Sequence, residues 1–331
     1  MARPKIALLY VGGSIGMQMN KKTGRIEPIE SLTEIHRLLP ELQRDVSLTF
    51  YSITNVGSSD ITPEHWVEIA QMIKKLYDQF EGFVIVHGTN TMSYTAAALS
   101  FALQGLSKPI VLTGALLPIN DLAGDGRMNL IFAIRAAQLD IAEVCIVLGP
   151  HILRGSRSKK VDHSFLRTFD SPKVLPLAEF TTEVNLSDHR IVRRKRSLVC
   201  NPSFDPNILL LTMHPGLNES YLDAMLKSDP HGIILRSYGS GMLPDSLFPW
   251  IRRVTERNIP IVVTSQSLRG TVDLHKYRKQ MMMEELGIIS GMDMTFECTV
   301  VKLMWALKQA KTQKKLKEIM EKNLVGEFSM D

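Results

Sequence analysis

Residues 6–16 read Ile-Ala-Leu-Leu-Tyr-Val-Gly-Gly-Ser-Ile-Gly, and residues 83–93 read Phe-Val-Ile-Val-His-Gly-Thr-Asn-Thr-Met-Ser. In both, an unbroken apolar run stops at glycine and short polar side chains. A run with no polar alternation predicts a strand buried on both faces, as in a parallel sheet covered by helices. Residues 109–113 and 143–148 repeat the pattern. Helical spacing fills the gaps. Thr62-Pro63-Glu64-His65 is a start signal, with Thr62 as N-cap and Pro63 in the first helical position, and Trp66, Ile69, Ile73 and Leu76 then recur at one-turn intervals. Residues 93–103 and 128–139 read the same way. The expectation is α/β: an open, mostly parallel sheet flanked by helices.

Working outward, the pattern loosens after Phe169-Asp170-Ser171-Pro172 into an irregular stretch, 176–205, whose charged run 190–196 suggests a surface strand or hairpin. Strand candidates then return at 207–212, 232–235 and 260–264, with helices starting at Glu219 and Asp245 between them. Helical patterns at 295–308 and 312–322 close the chain, the second rich in solvated lysine and glutamate. This predicts a larger N-terminal α/β domain (1–185), a linker (186–205) and a smaller C-terminal α/β domain (206–331). A length of 331 residues suits two cores.

Composition narrows the function classes. With 44% hydrophobic and 22% charged residues the chain is globular rather than disordered. A net charge of +5, spread over short clusters, gives no nucleic-acid footprint. Cys145, Cys200 and Cys298 lie far apart within apolar stretches, matching neither a zinc site nor a disulfide framework and fitting a reducing compartment. The most apolar long segment, 130–148, carries Arg135, Asp140 and Glu143, so no membrane span is expected. The first apolar run is too short for a signal sequence, which points to the cytoplasm.

Open parallel sheets bind ligands at the carboxyl ends of their strands. Four such ends carry candidate chemistry: Gly12-Gly13-Ser14-Ile15-Gly16, Gly57-Ser58-Ser59-Asp60, His87-Gly88-Thr89-Asn90-Thr91, and the stretch 154–160 with Lys159 and Lys160. The glycine spacing of the first is not G-x-G-x-x-G, and it lacks a Walker lysine, so a nucleotide cofactor is not expected. A lysine beside a hydroxyl can activate a weak nucleophile. Each feature has a plainer reading: the Gly-Gly a tight turn, Ser58, Thr89 and Thr91 helix caps, the lysines solvated charges, His87 a packed histidine. The convergence of four tips favours a site.

These motifs resemble the bacterial-type L-asparaginases, in their cytoplasmic type I branch. The likeness rests on YVGGSIG at 10–16, where that family commonly has YTGGTIG, SSDITPEHW at 58–66, HGTNTM at 87–92, LTGALLPINDLAGDGRMNL at 112–130, the stretch 154–160, and GMDMTFECT at 291–299. The resemblance implies amide hydrolysis through a hydroxyl nucleophile and an acyl-enzyme, with no metal or organic cofactor. It makes Ser14 the nucleophile, Thr89 the second catalytic hydroxyl and Lys160 its partner. Ser58 and Ser59 would hold the substrate's carboxylate, Thr89 and the backbone of Ala115 its amide. Glu297 would reach the substrate's ammonium from a neighbouring subunit, implying a homodimer or homotetramer. Asn90 stands where the family has an aspartate, weakening both the charge on the ammonium and the threonine-lysine set. Arg25 falls near the family's lid tyrosine, for which Tyr10 is an alternative. Ser265-Gln266-Ser267 lacks the cysteine common at the type I effector pocket. The expected substrate is L-asparagine. The other readings are an amidase for a different ω-amide, and an amino-acid-binding paralogue that has lost turnover.

Overall fold

In the computed structural model, the residues described are 3–13, 15, 17–19, 26–28, 40, 45–117, 119, 121, 123–165 and 167–330. The chain divides into two compact units, Met1–Pro202 and Ser203–Asp331.

The first unit is built on eight strands: β1 (Lys5–Tyr10), β2 (Ser47–Ser52), β3 (Gly82–Val86), β4 (Ile110–Thr113), β5 (Val144–Leu148), β6 (His151–Arg154), β7 (Ala178–Phe180) and β8 (Val184–Leu186). They lie in the order β2-β1-β3-β4-β5-β6-β7-β8. The pairs from β2 to β5 are parallel, and β6, β7 and β8 add antiparallel strands beyond them. Among the described residues, three helices accompany this sheet: α1 (Pro63–Leu76), α2 (Met92–Ala102) and α3 (Gly126–Ala136). Leu130, Ala133 and Ile134 of α3 share one core with Ile6, Leu8, Val84, Val86 and Val111. The intervening Ala7, Leu9, Phe83 and Ile85 are equally buried, and α2 packs against β5 and α1. Both faces of the central strands are therefore covered, as the unbroken apolar runs require.

Two features differ from the expectation. The edge strand β2 has no counterpart in it: Ser47–Ser52 is only partly buried, so it lacks the continuous apolar run that marks its neighbours. The hairpin in the irregular stretch is β7–β8, upstream of the charged run, and residues 191–198 form no strand. The arginines of that run serve α3 instead. Arg193 donates to the carbonyl oxygens of Ala137 (2.9 Å) and Leu139 (2.7 Å), and Arg190 pairs with Asp140 at 3.3 Å. Cations at the carbonyl end of a helix meet both orphan acceptors and the negative end of the dipole. These contacts hold part of the stretch 186–205 against the first unit.

The second unit carries four parallel strands in sequence order, β9 (Ile208–Thr212), β10 (Gly232–Ser237), β11 (Ile261–Ser265) and β12 (Ile289–Ser290). Helices α4 (Glu219–Leu226), α5 (Phe248–Glu256) and α6 (Arg278–Glu285) connect them, and α7 (Phe296–Gln309) and α8 (Gln313–Glu321) follow. Trp250, Ile251 and Val254 of α5 close its core on Ile233, Leu235, Ile261 and Val263. No helix among the described residues is long and apolar enough to cross a membrane.

Candidate active site

The strand order of the first unit reverses between β1 and β3, which places the ligand crevice of such a sheet at their carboxyl ends. Two glycines let the tip of β1 approach closely. Gly12 (φ 134°) and Gly13 (φ 94°) both adopt the region that excludes most side chains. A Cβ at Gly12 would lie 2.2 Å from the Val56 carbonyl oxygen, and one at Gly13 2.5 Å from the Gly88 nitrogen. The tip is thus pressed between the segment leading to Ser58 and the one leading to Thr89. Ser14 and Arg25 lie outside the described residues.

Ser58 joins the second and third tips. Its buried hydroxyl accepts the Asn90 backbone N–H at 3.2 Å, and its carbonyl oxygen accepts the Thr91 hydroxyl at 2.6 Å. Asn90 Nδ2 donates to Ser59 Oγ at 3.4 Å. Lys160 arrives from a two-residue strand, Lys159–Lys160, paired with Phe169–Asp170. Its Nζ donates to Thr89 Oγ1 and to Asn90 Oδ1, both at 2.8 Å. Partial burial pulls the Lys160 ammonium below the ordinary lysine range. A lysine so placed is a more accessible proton acceptor for the hydroxyl it touches.

Ala115 is placed by a loop that two unassigned polar residues hold in shape. Asn129, at 2% exposure, donates to the Gly114 carbonyl oxygen (2.9 Å) and to Asp125 Oδ2 (2.9 Å), while its Oδ1 accepts the Gly149 N–H at 2.8 Å. Asp125 Oδ1 accepts the Leu116 N–H at 3.0 Å. A Cβ at Gly114 would lie 2.4 Å from the His87 carbonyl oxygen and 3.4 Å from Thr89 Cγ2, so this loop abuts the third tip. The motif at 112–130 is visible in the sequence, but the roles of Asn129 and Asp125 within it are not. The available signal was a pair of polar residues four apart, Asp125 and Asn129, at the start of the helix.

His87 is a packed histidine rather than a base. It is fully buried, its Nδ1 lies 2.7 Å from the Gly88 carbonyl oxygen, and its Nε2 lies 3.0 Å from Thr95 Oγ1, which also accepts Trp66 Nε1–H at 3.1 Å. Burial takes its pKa down to about 4. Tyr10 is also buried: its hydroxyl donates to Asn55 Oδ1 at 3.0 Å, its ring stacks on Phe50, and burial pushes its pKa up to about 12. In the second unit, Glu297 is half-buried in the first turn of α7, behind the N-cap Thr295, whose hydroxyl accepts the Cys298 N–H at 3.2 Å.

Residues 5–192 match the family model for the N-terminal domain of asparaginase, and residues 207–320 match that for the glutaminase/asparaginase C-terminal domain. The chain belongs to the asparaginase family. It is 34% identical to L-asparaginase 1 of Escherichia coli over 338 residues, covering all of both chains. Among solved structures, the thermostable L-asparaginase of Thermococcus kodakarensis superposes with a TM-score of 0.92 at 32% identity, covering 99% of this chain and 100% of that one. L-asparaginase I of Vibrio cholerae gives 0.89 at 34% identity, with the same coverage. The asparaginase fold expected from the sequence, a large sheet unit followed by a smaller one, is the fold observed.

Proposed function

We propose that this chain hydrolyses the side-chain amide of L-asparagine, forming aspartate and ammonia, with no metal or organic cofactor. The observation that carries the reading is the bridge from Lys160 Nζ to Thr89 Oγ1 and Asn90 Oδ1, at a tip pressed against Gly13, which precedes Ser14. Ser14 Oγ adds to the amide carbon while its proton passes to the basic group of the relay, Lys160 acting through Thr89. The tetrahedral intermediate collapses with return of that proton to the leaving nitrogen, which departs as ammonia and leaves an ester on Ser14. Water then attacks the ester, gives up its proton to the same relay, and regenerates the serine. Ser58 and Ser59 hold the substrate's carboxylate, and Thr89 with the Ala115 backbone positions the amide. Glu297 of a neighbouring subunit contacts the α-nitrogen, so the working form is a homo-oligomer, dimer or tetramer. The compartment proposed is the cytoplasm, in keeping with the type I relatives.

Ser14→Ala tests the reading. Ammonia release from L-asparagine is expected to fall at least about 1,000-fold with the fold intact by circular dichroism. Turnover unchanged in the variant would remove Ser14 from the mechanism.

A further inference from the structure

A chain of buried hydrogen bonds with only one possible direction runs from α1 through α2 to the third strand tip. Trp66 Nε1–H can only donate, so Thr95 Oγ1 accepts it at 3.1 Å. At the other end the Gly88 carbonyl oxygen can only accept, so the proton of the His87 ring sits on Nδ1, 2.7 Å away. Burial keeps that ring neutral, with a single N–H. Its Nε2 is therefore bare and takes the Thr95 hydroxyl proton at 3.0 Å. The chain ends where the backbone needs a hold. Gly88 must be glycine, because a Cβ there would lie 2.7 Å from both Cβ and Oγ of Ser58. Glycine alone leaves the orientation of the peptide plane that follows it loosely determined. That peptide is planar, so a carbonyl oxygen fixed by His87 fixes the Thr89 N–H on the opposite side, and no described residue accepts that N–H. The same plane sets the Thr89 backbone from which Oγ1 meets Lys160 at 2.8 Å.

We propose that His87 is a positioning residue for the Thr89–Lys160 pair, held in its one tautomer by Thr95 and Trp66, an inference that rests on the amide hydrolysis proposed above. The ring itself exchanges no proton with substrate. It holds the Gly88–Thr89 peptide in the orientation that keeps the Thr89 hydroxyl on Lys160. A rotation of that peptide moves the hydroxyl off the lysine and leaves Ser58 and Ser59, on another segment, in place. Losing the hold therefore lowers kcat more than it raises KM.

The test exploits two amides. An asparagine amide nitrogen can stand in the place of Nδ1 and donate to Gly88, whereas a glutamine amide nitrogen stands in the place of Nε2. In the whole chain, His87→Asn is compared with His87→Gln, and Thr95→Ser with Thr95→Val, following ammonia release from L-asparagine. His87→Asn and Thr95→Ser are expected to keep kcat within about 2-fold of wild type. His87→Gln is expected to lose about 10-fold or more and Thr95→Val about 5-fold, with KM changed less than about 2-fold. Equal kcat within either pair overturns the inference and leaves the hydrolase reading standing, since a histidine that only fills the core costs stability alone. If the His87 variants do not fold, the Thr95 pair decides. NMR on protein carrying labelled histidine and threonine runs beside the kinetics. It is expected to show the Nδ1–H tautomer at His87, and a Thr89 amide signal that moves more in His87→Gln and Thr95→Val than in their counterparts. If L-asparagine is not hydrolysed, the hydrolase reading fails on its own and these spectra decide: an Nε2–H tautomer, or a Thr89 signal left in place by every variant, overturns the inference.

Discussion

His87 shows how one residue can sit within the site's own segment and still belong to the core. Its imidazole is fully buried and held by the Gly88 carbonyl and by Thr95, and burial lowers its pKa from 6.5 to about 4. The folded state therefore keeps the ring neutral while the unfolded chain can protonate it. That contribution is complete above about pH 6.5 and is lost as the pH falls towards 4, the loss by then amounting to about 3 kcal/mol by linkage. Replacing His87 by Gln removes the titrating group. Wild-type stability, from denaturant midpoints between pH 7 and 4, is expected to drop more steeply than that of His87→Gln. Parallel curves would show that His87 is not buried neutral. The packed reading of His87 was legible from the apolar run before it. The orientation of the Asn90 amide was not, because it depends on Lys160, which lies 70 residues further along the chain.

Among the elements, the strands buried on both faces were legible because their apolar runs are continuous, and α1 because Thr62-Pro63 announces its start. What the pattern hid were elements with a wet side. The edge strand β2 mixes serine and threonine with its apolar residues, and the hairpin β7–β8 is only three residues a side. The four strand tips of the candidate site were visible as local motifs, yet the device that shapes the loop at Ala115 was not. Asn129 does that work from α3, bonding the Gly114 carbonyl, the Gly149 N–H and Asp125 together. Asn129→Leu fills similar volume but leaves the buried Gly114 carbonyl and the part-buried Gly149 N–H without this partner, at a cost of about 2–4 kcal/mol. The loop would also lose its hold beside Thr89. Chemical denaturation and steady-state kinetics on the variant are expected to show both the loss of stability and a fall in kcat of about 10-fold or more. Lost stability with unchanged kcat would mean that the loop's placement does not matter to turnover.

At the scale of the whole molecule, each unit has its own core, and the second closes on a buried charge pair that no pattern of apolar residues would announce. Lys302 of α7 and Glu327 are both fully buried, 2.6 Å apart. Lys302 Nζ also donates to the carbonyl oxygens of Met320 (2.9 Å) and Lys322 (2.8 Å), while the Glu327 carboxylate accepts the N–H groups of Leu324 and Val325. Ser329, two residues on, bonds Asp293 through its N–H at 2.9 Å and its hydroxyl at 2.7 Å. The segment after α8 is thereby tied to α7 and, through Asp293, to the 291–299 motif that bears Glu297. Burying two charges is expensive, and the pair is worth keeping only while both members are present. Lys302→Met alone and Glu327→Gln alone are each expected to cost about 3–5 kcal/mol, and the double variant at least about 2 kcal/mol less than their sum. The chain's tryptophans make this measurable for one unit: Trp250 and Trp305 lie in the second and Trp66 in the first, so a Trp66→Phe background reports the second unit's unfolding. Additive losses would mean that the two charges are stabilised separately, Lys302 by its carbonyls and Glu327 by its amides, and that the ion pair itself does not tie the segment down.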